Sequence, residues 1–183
     1  MVRKMILVAL FAALTAIGAF IKIPFYPVPF TLQFIFVCLA GLILGSKLGA
    51  LSQIIYIAIG LLGAPIFAKG YGGPAYVFEP SFGYLLGFVL CAFVTGLIFE
   101  RITKPKFFMT LSQTIVGMIL LYIPGVTYMY FILNFVMPGK SIAADVAVMT
   151  GFVNFLPSGI IFCIIASLIA IRVRPVLSRL IKL

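Results

Sequence analysis

The chain has 183 residues, of which 64 % are hydrophobic and 9 % charged, with a mean hydropathy of +1.33. Soluble domains carry about 25 % charged residues, so a water-soluble globule is excluded and the long apolar runs predict an all-α integral membrane protein. The net charge of +10 is not a nucleic-acid footprint, because the basic residues fall mainly between and after apolar runs, where they act as topology signals.

Met5 to Ile21 carries no charge, and its 17 residues are just enough to cross a hydrocarbon core of about 30 Å. The run is long for the apolar part of a leader and no convincing small-x-small cleavage site precedes Lys22, so it is read as span one. Ala9 with Ala13, and Ala12 with Ala16, form overlapping small-xxx-small pairs that let another helix approach closely, either within the bundle or from a partner. Residues 22–33 contain Pro24, Pro27 and Pro29, which predict a stiff, extended connector. Phe30 to Ser46 then reads as span two and Leu48 to Leu62 as span three, separated by the Ser46-Lys47 turn. Gly41, Gly45 and Gly49 recur at four-residue spacing, a pattern of close helix packing rather than a phosphate loop.

From Gly63 to Tyr84 the apolar pattern is interrupted without becoming an ordinary polar loop. Five glycines and three prolines forbid a continuous helix, yet Phe67, Tyr71, Tyr76, Phe78, Phe82 and Tyr84 supply more aromatic surface than a solvated linker needs. With Lys69 and Glu79 inside it, the segment reads either as the lining of a ligand pocket or as a packed Ω-loop capping the bundle. Ser81 to Phe99 is span four, with Gly83 and Gly87 at helical spacing, and a basic turn from Glu100 to Lys106 closes it. Phe107 to Gly139 is 33 residues without a charge, too long for one simple crossing. The Pro124-Gly125 pair predicts a break there, with Phe107 to Ile123 as span five. The remainder, through Tyr128, Tyr130, Asn134 and Pro138-Gly139, then becomes an embedded loop or partial helix. Val146 to Ile171 is span six.

Six spans place both termini on one side, together with Arg3, Lys4, Lys47, Arg101, Lys104, Lys106, Arg172, Arg174, Arg179 and Lys182, ten of the 13 basic residues. That side is expected to be cytoplasmic. Lys22, Lys69 and Lys140 fall opposite, among the aromatic and proline-rich connectors 22–33, 63–80 and 124–145, which gather the binding chemistry at the outer mouth.

Catalytic apparatus is missing. Glu79, Glu100 and Asp145 are the only acidic residues, there is no His, and no acyl-transfer, metal or paired-carboxylate spacing occurs. Cys38, Cys91 and Cys163 lie singly in apolar runs and read as small buried hydrophobes, not as a zinc site or disulfide framework. Neither an enzyme nor a bound cofactor is indicated. No nucleotide motif is present, so energy from ATP has to come from another polypeptide.

Several segments together resemble the BioY family, the biotin-binding S components of energy-coupling factor (ECF) vitamin transporters. Pro27-Val-Pro-Phe-Thr-Leu-Gln33 is similar to that family's PVPxTxQ segment. Gly63-Ala-Pro-Ile-Phe-Ala68, Gly72-Gly73 and Pro80-Ser-Phe-Gly-Tyr-Leu-Leu-Gly87 resemble its third loop, and Tyr122-Ile-Pro-Gly125 with Tyr128 resembles an element late in helix five. The resemblance implies a single domain, residues 1–183, of six transmembrane helices with structured, partly embedded outer loops. It implies a protein of the prokaryotic cell membrane that captures biotin outside and associates with a transmembrane coupling subunit and two ATPases. The docking face for that subunit falls on Ala9, Ala12, Ala13 and Ala16.

Departures from the pattern bear on the ligand. Phe155-Leu-Pro-Ser-Gly-Ile-Ile-Phe162 has Gly159 and Phe162 where the family has Asp and Lys, and Glu79 stands where Gly is usual. A related carboxylate such as lipoate or dethiobiotin is therefore the alternative ligand. The candidate substrate-binding residues are Gln33, Phe67, Lys69, Tyr71, Glu79, Tyr84, Tyr122, Tyr128, Lys140 and Asn154. Lys69 is preferred to Lys140 as partner of the carboxylate, and Glu79 either accepts from a ring N–H or neutralises Lys69. The rival outside transport is a small lipid-modifying membrane enzyme, which needs an acid–base pair that the sequence lacks; a non-binding membrane scaffold leaves the aromatic loops unexplained.

Overall fold

The computed structural model describes residues 2–102 and 106–181; Lys104 and Lys182, counted above as inner charges, lie outside them. Helix α1 spans Val2–Phe20, α2 Gln33–Leu44, α3 Ser46–Leu61, α4 Phe82–Glu100 and α5 Phe107–Phe131, the last continued by a π-helical turn, Ile132–Val136. A short α6, Ala144–Gly151, and a 3-10 turn, Val153–Phe155, lead into α7, Leu156–Ile181. The six-helix membrane architecture is thus present as α1 to α5 and α7. Segments 2–20, 82–100, 107–136 and 144–173 are long and apolar enough to cross a bilayer.

The two remaining helices are too short to cross the core at full length, and α2 is also shorter than expected. At 1.5 Å per residue, the 12 residues of α2 and 16 of α3 rise about 18 and 24 Å, less than a hydrocarbon core of about 30 Å. Protein rather than lipid surrounds α2. It packs against α1, α3, α4 and α7, and every residue but Phe36 is buried, as an all-round apolar sequence requires. Non-helical backbone at its ends is tolerated at depth because it is covered.

Four boundaries differ from the sequence reading. Ser46 opens α3 instead of closing span two, since Gly45 takes φ +85° and ends α2 there. The 22–33 connector is not simply extended but folds back as an antiparallel ribbon. Strand β1, Lys22–Ile23, pairs with β2, Phe30–Thr31, so that Lys22 faces Thr31 and Ile23 faces Phe30. The Tyr26–Pro27 peptide is cis.

Helix α5 runs straight through Pro124 to Phe131. The lost hydrogen bond and ring clash of an interior proline cost about 3 kcal/mol, but α4 and α5 share the most extensive contact in the bundle. Gly83 and Gly87 bring α4 onto the backbone of α5 near Pro124 and Leu121, and Gly125 admits the Tyr84 ring. That packing holds α5 helical through Phe131, beyond the break at Pro124 after which sequence alone suggests an embedded loop or partial helix. Asn134 steadies the π turn by donating to Tyr130 O at 2.9 Å and Ile142 O at 3.1 Å. Span six, finally, is interrupted at Phe152, whose φ −131° and ψ −61° leave the helical region. Pro157 restarts the helix in the first turn of α7, where its missing N–H costs nothing.

Helix α1 buries Val8, Phe11, Ala12, Thr15, Gly18 and Ala19, and Thr15 Oγ1 donates to Gln53 Oε1 of α3 at 3.3 Å. Cys38, Cys91 and Cys163 are buried and unpaired, and no metal-holding cluster exists among the described residues.

Candidate functional site

A cavity enclosing about 620 Å³ of unfilled space, part of it open to solvent, lies at the end of the bundle where the β1–β2 ribbon and the 63–80 loop meet. Val28, Pro29, Phe30 and Thr31 come from the ribbon and Ala68 and Tyr76 from the loop; α2 contributes Gln33 and Phe34. Opposite stand Tyr84, Leu85 and Phe88 of α4, preceded by Ser81, with Leu121 and Tyr122 of α5. Phe155, Gly159 and Phe162 close the side formed by α7. The lining is entirely uncharged.

One wall is a stack of phenyl rings. Phe30 stacks on Phe155 at 5.8 Å and 19° and on Phe162 at 5.6 Å and 20°, both within the range of favourable offset pairs. Tyr122 extends the surface, with its ring 6.3 Å from Phe155 and 6.0 Å from Tyr84. Gly159 leaves α7 bare beside it: a Cβ there would meet Met118 at Sδ, 2.7 Å, and Cγ, 3.8 Å, and Tyr122 Oη at 3.9 Å.

Polar groups are few and held in place. Gln33 Nε2 donates to Tyr56 Oη at 2.8 Å, Tyr56 Oη donates to Ile66 O at 3.1 Å, and Thr31 Oγ1 donates to Gln33 Oε1 at 3.1 Å. The amide thereby keeps one N–H with no partner among the described residues. Ser81 Oγ lies 3.2 Å from Tyr76 Oη, and burial pushes the Tyr76 phenol above its ordinary value, so it is present as a neutral donor and acceptor. Tyr84 Oη is spoken for, donating to Gly151 O at 2.8 Å.

The residues singled out from sequence divide into several places. Gln33, Tyr84 and Tyr122 line the cavity. Phe67 is fully buried behind it, its ring 4.2 Å from that of Tyr76 and 5.6 Å from that of Tyr56. Lys69, Tyr71 and Glu79 form a separate cluster at the mouth, where Lys69 Nζ and Tyr71 Oη both donate to the Glu79 carboxylate. Lys69 is therefore neutralised within its own loop and does not line the cavity. Tyr128 Oη donates to Val77 O and pins the loop to α5. Lys140 lies 6.0 Å over the Tyr26 ring, and Asn154 borders a shallow neighbouring groove with Phe25 and Ser158. On α1, Ala9 and Ala13 are exposed, Ala12 is buried and Ala16 half-buried.

Thr31, Tyr76, Ser81, Phe30, Phe155 and Phe162 belong to the lining but were not among the residues chosen from sequence. All but Tyr76 sit inside the motif segments quoted above, and Tyr76 lies in the aromatic loop, so the signal was regional rather than residue by residue.

Comparison with known proteins places these features in context. Residues 1–179 match the BioY family. The chain is 45 % identical to the probable biotin transporter BioY of Lysinibacillus sphaericus, over 98 % of this chain and 92 % of the relative. To the biotin transporter BioY of Thermotoga maritima it is 40 % identical, over 94 % and 96 %. Its fold superposes with a TM-score of 0.82 on a crystal structure described as the S-component for biotin from an ECF-type ABC transporter, at 28 % identity, covering 95 % of this chain and 92 % of that one.

Proposed function

The chain belongs to the BioY family, and from that premise we propose that it is the substrate-capturing S component for biotin of an ECF-type transporter, a transport component and not an enzyme. The observation that carries the reading is the uncharged, phenyl-walled cavity at the end of the bundle opposite the chain termini. A bicyclic head group with an alkyl tail fits such a lining. Its apolar faces lie along Phe30, Phe155 and Phe162, and its few polar atoms meet the spare N–H of Gln33 and the hydroxyls of Tyr122 and Ser81.

In this reading the termini are cytoplasmic, which the distribution of basic residues supports, and the cavity mouth faces outward. Transport is driven by a transmembrane coupling subunit with two ATPases. That subunit docks on the exposed Ala9 and Ala13 of α1, where small side chains admit a second helix closely.

Gly159 and Phe162 favour a second ligand to test beside biotin, because they leave the α7 wall without charge. Titration calorimetry of the purified protein with biotin, dethiobiotin and lipoate decides between them. Biotin is expected to bind most tightly; tighter binding of dethiobiotin or lipoate assigns the cavity to that ligand instead.

A further inference from the structure

The cavity lining has no charge, yet an acid such as biotin carries one that cannot be buried unpaired without a large desolvation penalty. Three lysines, Lys22, Lys69 and Lys140, belong to this end of the bundle. Lys69 is already paired with Glu79, and Lys140 sits over Tyr26, away from the lining. Lys22 differs from both. Its Nζ donates to the carbonyl of Ala68, a neutral acceptor on the cavity wall, so no carboxylate partners the ammonium among the described residues and two further N–H groups are left to it.

Backbone register explains why it stands there. Lys22 is the cross-strand partner of Thr31, and side chains of such a pair project from the same face of the ribbon. Thr31 Oγ1 reaches Gln33 within the cavity, so the Lys22 stem leaves the ribbon on the cavity side. An outer groove bordered by Lys22, Lys69 and Tyr71 shares Pro29 and Ala68 with the cavity. The ammonium stands where the two spaces join.

We propose that Lys22 is the specificity-determining residue that receives the ligand's carboxylate, holding it at the rim while the uncharged lining takes the rest. The inference rests on the reading that the ligand is a carboxylate of the biotin class. The bound carboxylate accepts from Lys22 Nζ without displacing Ala68 O, and so ties the ribbon and the 63–80 loop together over the ligand.

Titration of biotin and its uncharged amide, biotinamide, into the parent protein, Lys22→Met, Lys22→Arg and Lys69→Met tests this. Lys22→Met is expected to weaken biotin by about 10- to 100-fold, the worth of a charge-assisted bond, while biotinamide binds as it does to the parent. Lys22→Arg restores the preference for the acid, and Lys69→Met leaves it unchanged. Equal weakening of acid and amide in Lys22→Met overturns the assignment, because it marks Lys22 as a structural tie to Ala68 alone, and so does an unchanged ratio. If the parent binds neither compound, the biotin reading itself fails and the role of Lys22 falls with it.

Discussion

Glu100, the last residue of α4, places Oε1 2.7 Å from the backbone nitrogen of Ser46, the first residue of α3. The carboxylate also accepts from Ser46 Oγ, at 3.2 and 3.1 Å. A helix start carries unpaired N–H groups and a partial positive charge, and here the cap comes from a helix far along the chain. It follows that the α2–α3 corner and the end of α4 are fastened together on the side of the bundle opposite the cavity. Glu100→Ala is expected to cost about 1 kcal/mol, the usual worth of a helix cap, seen as a lowered unfolding midpoint in detergent with biotin affinity unchanged. Gly45→Ala should cost more, because φ is +85° and the new Cβ meets the Glu100 carboxylate. Equal midpoints for both variants and the parent would argue against the fastening.

Phe30 is the middle ring of the stack, between Phe155 and Phe162. Phe30→Ala removes two ring pairs worth about 0.5–1.5 kcal/mol each, and affinity for biotin is expected to fall by roughly ten-fold or more. Calorimetry on the variant reads this directly; undiminished affinity would remove the stack from the site.

Because Ala9 and Ala13 are exposed on α1 while Ala12 is buried, the overlapping pairs separate by experiment. Ala9→Phe with Ala13→Phe should abolish biotin uptake by cells carrying the full transporter while the purified S component binds biotin as before. Ala12→Phe overpacks the core, at a cost of about 1–3 kcal/mol, and should lower yield and thermal stability instead. Loss of binding in the Ala9/Ala13 variant assigns that face to the bundle interior.

Reporter fusions test the orientation. A C-terminal fusion to a reporter active only in the cytoplasm is expected to be active, and one placed in the 63–80 loop inactive; the reverse pattern inverts the bundle and moves the cavity to the inner side.

How far the sequence carried these conclusions differed from element to element. Apolar runs and basic turns announce the helices, because the bilayer imposes length and charge rules on each segment independently. Pro124 misleads because its penalty is local, whereas the glycine-mediated contact that outweighs it joins α4 to α5. The ribbon was invisible for a related reason: three prolines specify an extended backbone without saying that it turns back on itself. Within the site, Gln33, Tyr84 and Tyr122 were legible through their motif segments. Lys22 was not, since in sequence it is merely the charge that ends span one, and only its register opposite Thr31 brings it to the cavity. The sequence leaves open whether Glu79, ten residues on, neutralises Lys69; that it does depends on how the loop folds.

The claim that this cavity captures biotin is tested most directly by native mass spectrometry of the protein purified from cells grown with biotin. A complex heavier than the chain by a single biotin is expected, with a smaller share of the chain carrying it in Phe30→Ala. A chain that carries no small molecule and takes up none when biotin is added, or one that carries a different compound in its place, would contradict it.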